Sequence, residues 1–184
     1  MNIYRRLVLI CAGALLLAVP VMAAQQSLLE YPSIHSPVVG ERGMVVSQNA
    51  TASQVGANII RRGGNAIDAA VAIGFALAVT LPRAGNLGGD GFMLIHDART
   101  GGELFIDFRS VVPKSAKQKM FLTDKGKEAE LASRGYMAPS VPGTVAGLYL
   151  AHKKYGQLPW ADVVAPAIAL ARDGVVLTPD EAFA

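Results

Sequence analysis

The order of apolar and polar residues predicts that the folded part of the chain begins with two consecutive helices. Between residues 49 and 64 the apolar positions fall on one helical face, formed by Ala52, Val55 and Ile59. We predict that this helix begins at Asn49 or Thr51, because both residue types cap helix N-termini, and that it ends at Gly63.

The second predicted helix carries almost no charge. Residues 66–80 contain a single charged residue, Asp68, which falls in the first turn, where the helix dipole favours a carboxylate. Asn65 is a suitable N-cap, and Pro82 follows the end of the helix. A helix that is apolar on all sides is buried, and this one is too short to span a membrane, so we predict a core helix.

Three apolar runs are short enough to be strands. Residues 43–48 ("GMVVSQ") predict a short buried strand. Residues 92–97 ("FMLIHD") and 103–108 ("ELFIDF") predict a hairpin with a longer, glycine-containing turn. Helices and strands are mixed without a regular β-α-β alternation, so the pattern favours the α+β fold class.

The C-terminal half predicts two more helices. Residues 114–134 are charged and polar, and they predict a short surface helix and a loop. A helix is then predicted to begin near Pro142 and to end before Gly156, with one face formed by Val145, Leu148 and His152. The last helix is predicted to be broken or kinked near Pro166 and capped by Gly174.

The first 24 residues have the composition of a secretory signal peptide. A basic start ("MNIYRR") precedes an apolar run of fifteen residues, and small residues follow at a suitable cleavage point. The alternative is a membrane anchor, but the run is short for a span of about 20 residues. We therefore expect residues 1–24 to be removed and residues 25–42 to form an extended lead-in. The mature protein is expected to be periplasmic or secreted, without a stable membrane span.

Cleavage would change the charge balance and the cysteine count. The sequence has 17 Lys and Arg against 14 Asp and Glu, and loss of Arg5 and Arg6 leaves 15 against 14, a net charge of +1. So small a charge gives no reason to expect a nucleic-acid partner. The only cysteine, Cys11, would leave with the signal peptide, which excludes disulfides, thiolate catalysis and cysteine-bound metals in the mature chain.

Residues 83–97 ("RAGNLGGDGFMLIHD") contain four glycines, a density that indicates a close approach of the backbone to something else. A phosphate-binding loop connects a strand to a helix, whereas this loop connects a helix to a strand and carries the negative charge of Asp90. The context therefore argues against a nucleotide site. We expect the glycines to allow close packing of the chain, notably Gly88, Gly89 and Gly91.

Arg109 follows an apolar strand at the point where the chain leaves it, in the block "FIDFRSVVP". A guanidinium at a strand end is well placed to bind a carboxylate through two parallel hydrogen bonds. The alternative is an ion pair with a nearby acid, and composition alone favours it; the candidates are Asp97, Glu103 and Asp107.

Several segments resemble the N-terminal part of the γ-glutamyltranspeptidases. They are residues 43–97 and the blocks "IDFRSVVP", "SVPGTVAGLYLAHKKYG" and "VVAPAIALARDG", which together cover nearly all of residues 43–174 in the family's order. Several independent blocks in order are far more specific than one glycine motif. Residues 43–184 are therefore interpreted as the truncated N-terminal part of a large-subunit domain.

The resemblance implies an N-terminal-nucleophile hydrolase with an αββα sandwich, of which only the N-terminal portion is present. Members of the family are exported precursors that cut themselves into a large and a small subunit. The new N-terminal threonine of the small subunit attacks the γ-glutamyl amide of glutathione or of related compounds, with its own α-amine as base. Water or an amino acid then accepts the acyl group, and no cofactor is implied.

Arg109 matches the family arginine that holds the α-carboxylate of the glutamyl group, so it is the expected substrate-binding residue. Most family loops have Gly where this chain has Asp90. The nucleophile is expected outside this chain, because internal threonines such as Thr51, Thr80, Thr144 and Thr178 have no free amine. The chain alone is therefore expected to hold no catalytic residue and to be inactive, whereas the full-length protein is expected to be a γ-glutamyltransferase or glutathione hydrolase.

Two other functions stay open. One is a stand-alone, non-catalytic exported module that binds an acidic metabolite through Arg109. The other is a related acylase acting on glutaryl or cephalosporin-type side chains, although the match of Arg109 to the glutamyl-binding arginine argues against it. A metal site has no support, because His35, His96 and His152 lack ligand spacing. Trp160 is expected to be a packing residue.

Overall fold

The computed structural model describes residues 38–41, 43–126, 129–177 and 179–182, and its elements lie in one compact unit, Val39–Ala184. The helices are α1 (Ala50–Arg61), α2 (Ala66–Thr80), α3 (Thr144–Tyr155), α4 (Trp160–Asp173) and α5 (Pro179–Ala182), and the strands are β1 (Phe92–Asp97) and β2 (Gly102–Asp107). The expected signal peptide and most of the lead-in lie outside the described residues, as do Cys11, His35 and Thr178. Within the described ranges, no helix has the length and apolar character needed to cross a membrane.

Helix α1 begins and ends where its local sequence predicts. The side chain of Asn49 accepts a hydrogen bond from the N–H of Ala52 (3.2 Å), which satisfies a free donor of the first turn. At the other end Gly63 has a φ of +91°, and the N–H of Gly64 binds the carbonyl of Ile59 (3.0 Å), as in a Schellman motif. The predicted apolar face is buried, so this prediction is confirmed.

Helix α2 is the centre of the core. The side chain of Asn65 accepts hydrogen bonds from the N–H groups of Ile67 and Asp68. The Asp68 carboxylate accepts one in return from the Asn65 N–H (2.9 Å), which completes a capping box. Only Ala66 of its 15 residues is exposed, and the helix contacts α1, α3 and α4. The prediction of a buried helix is confirmed.

The fully buried Asp68 carboxylate also fastens α2 to the connection between α3 and α4. It accepts hydrogen bonds from the backbone N–H groups of Gln157 (3.0 Å) and Leu158 (3.3 Å). His152 places Nε2 3.6 Å from Asp68 Oδ1, and the same nitrogen donates to the Leu158 carbonyl (2.9 Å). Each carboxylate oxygen has a backbone donor, which compensates for the burial of the charge. The sequence predicted only the interaction of Asp68 with the helix dipole.

The predicted hairpin is confirmed, with β2 beginning and ending one residue earlier than expected. The strands pair in antiparallel register, with Phe92 opposite Asp107. On one face of the hairpin Ile106 belongs to the buried core, and β2 contacts α3. The other face exposes Phe92, Leu94 and Phe105, and the two Phe rings stack 5.6 Å apart. Apolar residues on both faces are typical of strands that are covered on both sides.

Helix α4 begins with a packing residue, as predicted. The ring of Trp160 makes edge-on contacts, with centroid distances of 5.1 to 5.6 Å, to Phe75, Tyr149 and His152. The helix continues through Pro166 to its predicted cap at Gly174, so a break at Pro166 is excluded, and the alternative of a kink there stays a prediction. Proline removes one helical hydrogen bond, but Val163 and Ala167 on either side of it are buried in the core, and that packing offsets the loss.

Two further predictions are wrong. Residues 43–48 form no strand, because no neighbouring strand pairs with them among the described residues, and two of their three apolar side chains are exposed. The described part of 114–134 contains a 3-10 turn, Glu130–Ala132, in place of a surface helix. The predicted helix around Leu148 is present as α3, and along its predicted face Leu148 is buried whereas Val145, in the first turn, is exposed.

We expect Asp68→Ala to lower the free energy of unfolding by about 3 kcal/mol, because it removes a capping box and leaves buried N–H groups without acceptors. Asp162→Ala is the matched control, since Asp162 also lies in the first turn of a helix but is about half exposed, and it should cost less than about 1 kcal/mol. Urea denaturation followed by circular dichroism measures both values. Equally small losses in the two variants would contradict the role given to Asp68.

Candidate functional site

Arg109 leaves the hairpin directly after β2. The N–H of Phe108 still binds the carbonyl of Gly91 (3.1 Å), which extends the strand pairing by one residue. The N–H of Arg109 then binds the Asp107 carboxylate (2.9 Å), a local contact that turns the chain. The Arg109 side chain is 58% exposed, and its Cζ lies 5.9 Å from the centre of the Phe92 ring. The structure thus presents the guanidinium to solvent at a strand end, where the sequence predicts it.

Phe108 fixes this strand end by packing against three glycines. A Cβ added at Gly91 would lie 2.8 Å from Cε2 of the Phe108 ring, and one at Gly147 would overlap Cγ. A Cβ at Gly143 would overlap the Phe108 carbonyl oxygen. The start of α3 therefore comes close enough to hold the residue before Arg109 only because these positions lack side chains. Sequence reasoning missed this contact, although a spacing of four places Gly143 and Gly147 on one helix face.

The packing role predicted for the loop glycines is confirmed for two of the three. Gly91 contacts Phe108, and a Cβ at Gly89 would overlap the Asn86 side chain, whereas nothing lies within 4 Å of a Cβ at Gly88. The Gly89 carbonyl also accepts two hydrogen bonds from the start of α3, those of the N–H groups of Gly143 (2.9 Å) and Thr144 (3.0 Å). The loop is thus bound to the same helix end that holds Phe108.

The guanidinium of Arg109 forms an ion pair with Asp90 of the glycine-rich loop. Nη1 of Arg109 lies 2.7 Å from Oδ1 of Asp90, whose side chain is only 17% exposed. The other carboxylate oxygen, Oδ2, accepts hydrogen bonds from the backbone N–H (3.0 Å) and the hydroxyl of Ser110. Asp90 is therefore shared between two consecutive residues of the chain segment that follows β2.

The ion-pair partners predicted from the sequence are wrong. Asp97 binds Arg99, Glu103 binds His96, and among the described residues the Asp107 carboxylate binds the backbone N–H of Arg109 rather than its guanidinium. The actual partner lies 19 residues before Arg109, and only the approach of the glycine-rich loop to the end of β2 brings the two together.

Ser110 stabilises the ionised form of the Asp90 carboxylate. The Ser110 hydroxyl, and after it the Ser110 N–H, lower the pKa of Asp90 below its ordinary value of 3.8; Arg109 adds to this effect and burial opposes it. The pKa of Asp90 is lower in the folded protein than in the unfolded chain. The charged carboxylate therefore contributes its full stabilisation at pH values above the unfolded-state pKa, and this contribution is lost as the pH falls through the folded-state pKa. At neutral pH Asp90 is a fixed negative charge and a poor general base.

The arrangement is suited to binding a carboxylate. A guanidinium has five N–H donors in a planar fork, and Asp90 takes a donor on Nη1, which leaves others for an anion from solvent. The described histidines lie elsewhere, since His96 binds Glu103 across the hairpin and His152 lies beside Asp68. In the part of the chain that the structure describes, no three His, Cys, Asp or Glu side chains are grouped as a metal site requires.

Comparison with known sequences gives one family. The family model for gamma-glutamyltranspeptidase matches residues 52–184. The chain is similar to the glutathione hydrolase proenzyme of Escherichia coli K12, with 51% identity over 145 residues, which are 78% of this chain and 25% of that protein. The chain thus spans about a quarter of the length of such curated relatives.

Comparison with solved structures agrees with the family found from the sequence. The γ-glutamyltranspeptidase of Helicobacter pylori matches with a TM-score of 0.76 and 44% identity, over 80% of this chain and 42% of that one. A cephalosporin acylase from Bacillus halodurans matches with a TM-score of 0.75 and 36% identity, over 89% of this chain and 30% of that one. The predicted α+β class and the resemblance to the N-terminal-nucleophile hydrolases are confirmed.

We expect Gly147→Ala to destabilise the protein by about 2 kcal/mol, although alanine favours a helix over glycine by about 1 kcal/mol. The new Cβ would overlap the stem of the Phe108 side chain, so the backbone has to move. Gly88→Ala is the matched control, because its Cβ meets nothing within 4 Å, and it should change stability by less than about 0.5 kcal/mol. Thermal denaturation compares the two, and a more stable Gly147→Ala variant would be evidence against the packing described.

Proposed function

The chain belongs to the γ-glutamyltranspeptidase family, and from that premise we propose that it forms the glutamyl-binding part of a γ-glutamyltransferase or glutathione hydrolase. The observation that carries the proposal is the solvent-exposed guanidinium of Arg109 at the end of β2, directly after Phe108, which packs against the start of α3. Its free N–H donors bind the α-carboxylate of glutathione or another γ-glutamyl amide. Relatives named as hydrolases favour this function over a stand-alone binding module.

The attacking group in this proposal is the N-terminal threonine of a small subunit that is cut from the same precursor, outside these 184 residues. Such a nucleophile uses its own α-amine as base, which an internal threonine lacks. Three of the described threonines lie in or at the end of a helix: Thr51 in the first turn of α1, Thr80 at the end of α2 and Thr144 at the start of α3. The name proenzyme of the Escherichia coli relative supports a processed precursor. Water or an amino acid takes the acyl group.

The export pattern of residues 1–24 supports a periplasmic or secreted location. An oxidising compartment suits a chain whose only cysteine leaves with the signal peptide. The net charge of +1 after cleavage is in keeping with small-molecule substrates rather than with a nucleic acid.

An acylase for glutaryl or cephalosporin-type side chains is the second candidate, supported by the structural match to the acylase of Bacillus halodurans. A glutaryl group has a carboxylate where the γ-glutamyl group has its α-carboxylate, so Arg109 suits either substrate, and its match to the glutamyl-binding arginine does not by itself count against the acylase. The two substrates differ in the α-amine, which only the glutamyl donor carries. Relative rates on γ-glutamyl and glutaryl p-nitroanilide separate the two activities.

In the full-length protein we expect Arg109→Ala to raise KM for γ-glutamyl p-nitroanilide about 10- to 100-fold, with a smaller fall in kcat, because the donor loses a charged hydrogen-bonding partner. The 184-residue chain alone is expected to show no turnover. Arg99→Ala is the matched control, since Arg99 is exposed at the hairpin turn and pairs with Asp97. It should change KM by less than about twofold.

Steady-state kinetics measure these effects. Unchanged kinetics in Arg109→Ala would remove the role proposed for this residue. Turnover by the 184-residue chain would show that the attacking group lies within it.

A further inference from the structure

We propose that Asp90 sets the affinity of the site for carboxylate donors by acting as an internal competitor, because its own carboxylate occupies the guanidinium that a donor must reach. The inference rests on the function proposed for Arg109 and deepens it. Its starting observation is the contact of 2.7 Å between Arg109 Nη1 and Asp90 Oδ1, which is the kind of contact that a donor carboxylate would make.

Asp90 is held in place without help from Arg109. Its Oδ2 accepts hydrogen bonds from the N–H (3.0 Å) and the hydroxyl of Ser110, so the carboxylate keeps its position when the arginine side chain moves. The preceding carbonyl, that of Gly89, is bonded to the N–H of Gly143 (2.9 Å) at the start of α3. Arg109 is the more exposed partner, at 58% against 17%. A donor carboxylate therefore approaches Arg109 beside a fixed negative charge, and it has to share the guanidinium with the Asp90 carboxylate.

The charge balance gives the direction of the effect. Together, Arg109 and Asp90 present a nearly neutral pair in which one N–H donor is already used. Replacement of Asp90 by Asn keeps an oxygen that accepts from Ser110 but removes the negative charge. The full positive charge of Arg109 then acts on the donor, whose affinity rises. Because Arg109 is partly exposed to solvent, the gain is limited to about three- to tenfold.

Other roles for Asp90 predict the opposite result. If the contact served mainly to orient the guanidinium for the donor, Asp90→Asn would raise KM. If the Asp90 carboxylate bound the α-ammonium of the glutamyl group, the variant would also raise KM. The separate anchoring of Asp90 by Ser110 favours competition, because this anchor fixes the carboxylate and leaves the exposed arginine side chain free to turn towards a donor.

The test compares Asp90→Asn with the unmodified full-length protein, with γ-glutamyl p-nitroanilide as donor and L-glutamate as competitive inhibitor. We expect KM and the inhibition constant of L-glutamate each to fall about three- to tenfold, while kcat changes by less than about twofold. The inhibitor 4-aminobutyrate lacks the α-carboxylate and should act equally on both proteins. Asp107→Asn is the matched control, because it removes the same charge near Arg109, but the Asp107 carboxylate binds the backbone N–H of Arg109 and, within the described part of the chain, not its guanidinium.

A KM that is unchanged or higher in Asp90→Asn would overturn the proposal, and so would an equal fall in Asp107→Asn. Calorimetric titration with L-glutamate measures Kd without turnover, so it detects the gain even if processing of the variant is impaired; a Kd that does not fall also overturns the proposal. Arg109→Ala distinguishes a failure of the function proposed for Arg109 from a failure of the competition proposed for Asp90. If that variant leaves KM unchanged, the function proposed for Arg109 fails; if it raises KM while Asp90→Asn does not lower it, only the internal competitor fails.

Discussion

The packing of Phe108 against the start of α3 is the contact on which the candidate site depends. Three positions around this side chain and its carbonyl have no room for a Cβ: Gly91, Gly143 and Gly147. Because Arg109 is the next residue, the contacts that fix Phe108 also fix the backbone position from which the Arg109 side chain extends. The glycines around residues 85–91 thus allow the backbone to approach other parts of the protein rather than a phosphate, and the proposed carboxylate-binding residue, Arg109, lies after the hairpin.

Helix α3 provides this support because it is fastened at both ends. At its start the Gly89 carbonyl accepts two backbone N–H groups of the helix end. At its other end the side chain of Asn65 donates to the Tyr155 carbonyl (2.6 Å), and the Asp68 carboxylate receives N–H groups from the residues that follow. The buried helix α2 supplies Asp68, so the core and the site are joined through fully satisfied polar contacts.

Features that depend on only a few neighbouring residues could be predicted from the sequence. They are the helix caps at Asn49 and Asn65 and the hairpin. The segment 43–48 could not, because an apolar run becomes a strand only beside a partner that the sequence does not identify. Arg109 was predicted as a strand-end cation, and its proposed role follows from the family resemblance. Its contact with Asp90 spans 19 residues and depends on the tertiary approach of a loop, which spacing alone does not reveal.

The central claim is that Arg109, held in place through Phe108, receives the glutamyl carboxylate. The most direct measurement is a crystal structure of the processed full-length protein with bound L-glutamate. The expected result is an α-carboxylate within hydrogen-bonding distance of the Arg109 guanidinium, with the Phe108 ring still against Gly147. An α-carboxylate bound elsewhere, with the guanidinium occupied by Asp90 alone, would contradict the claim.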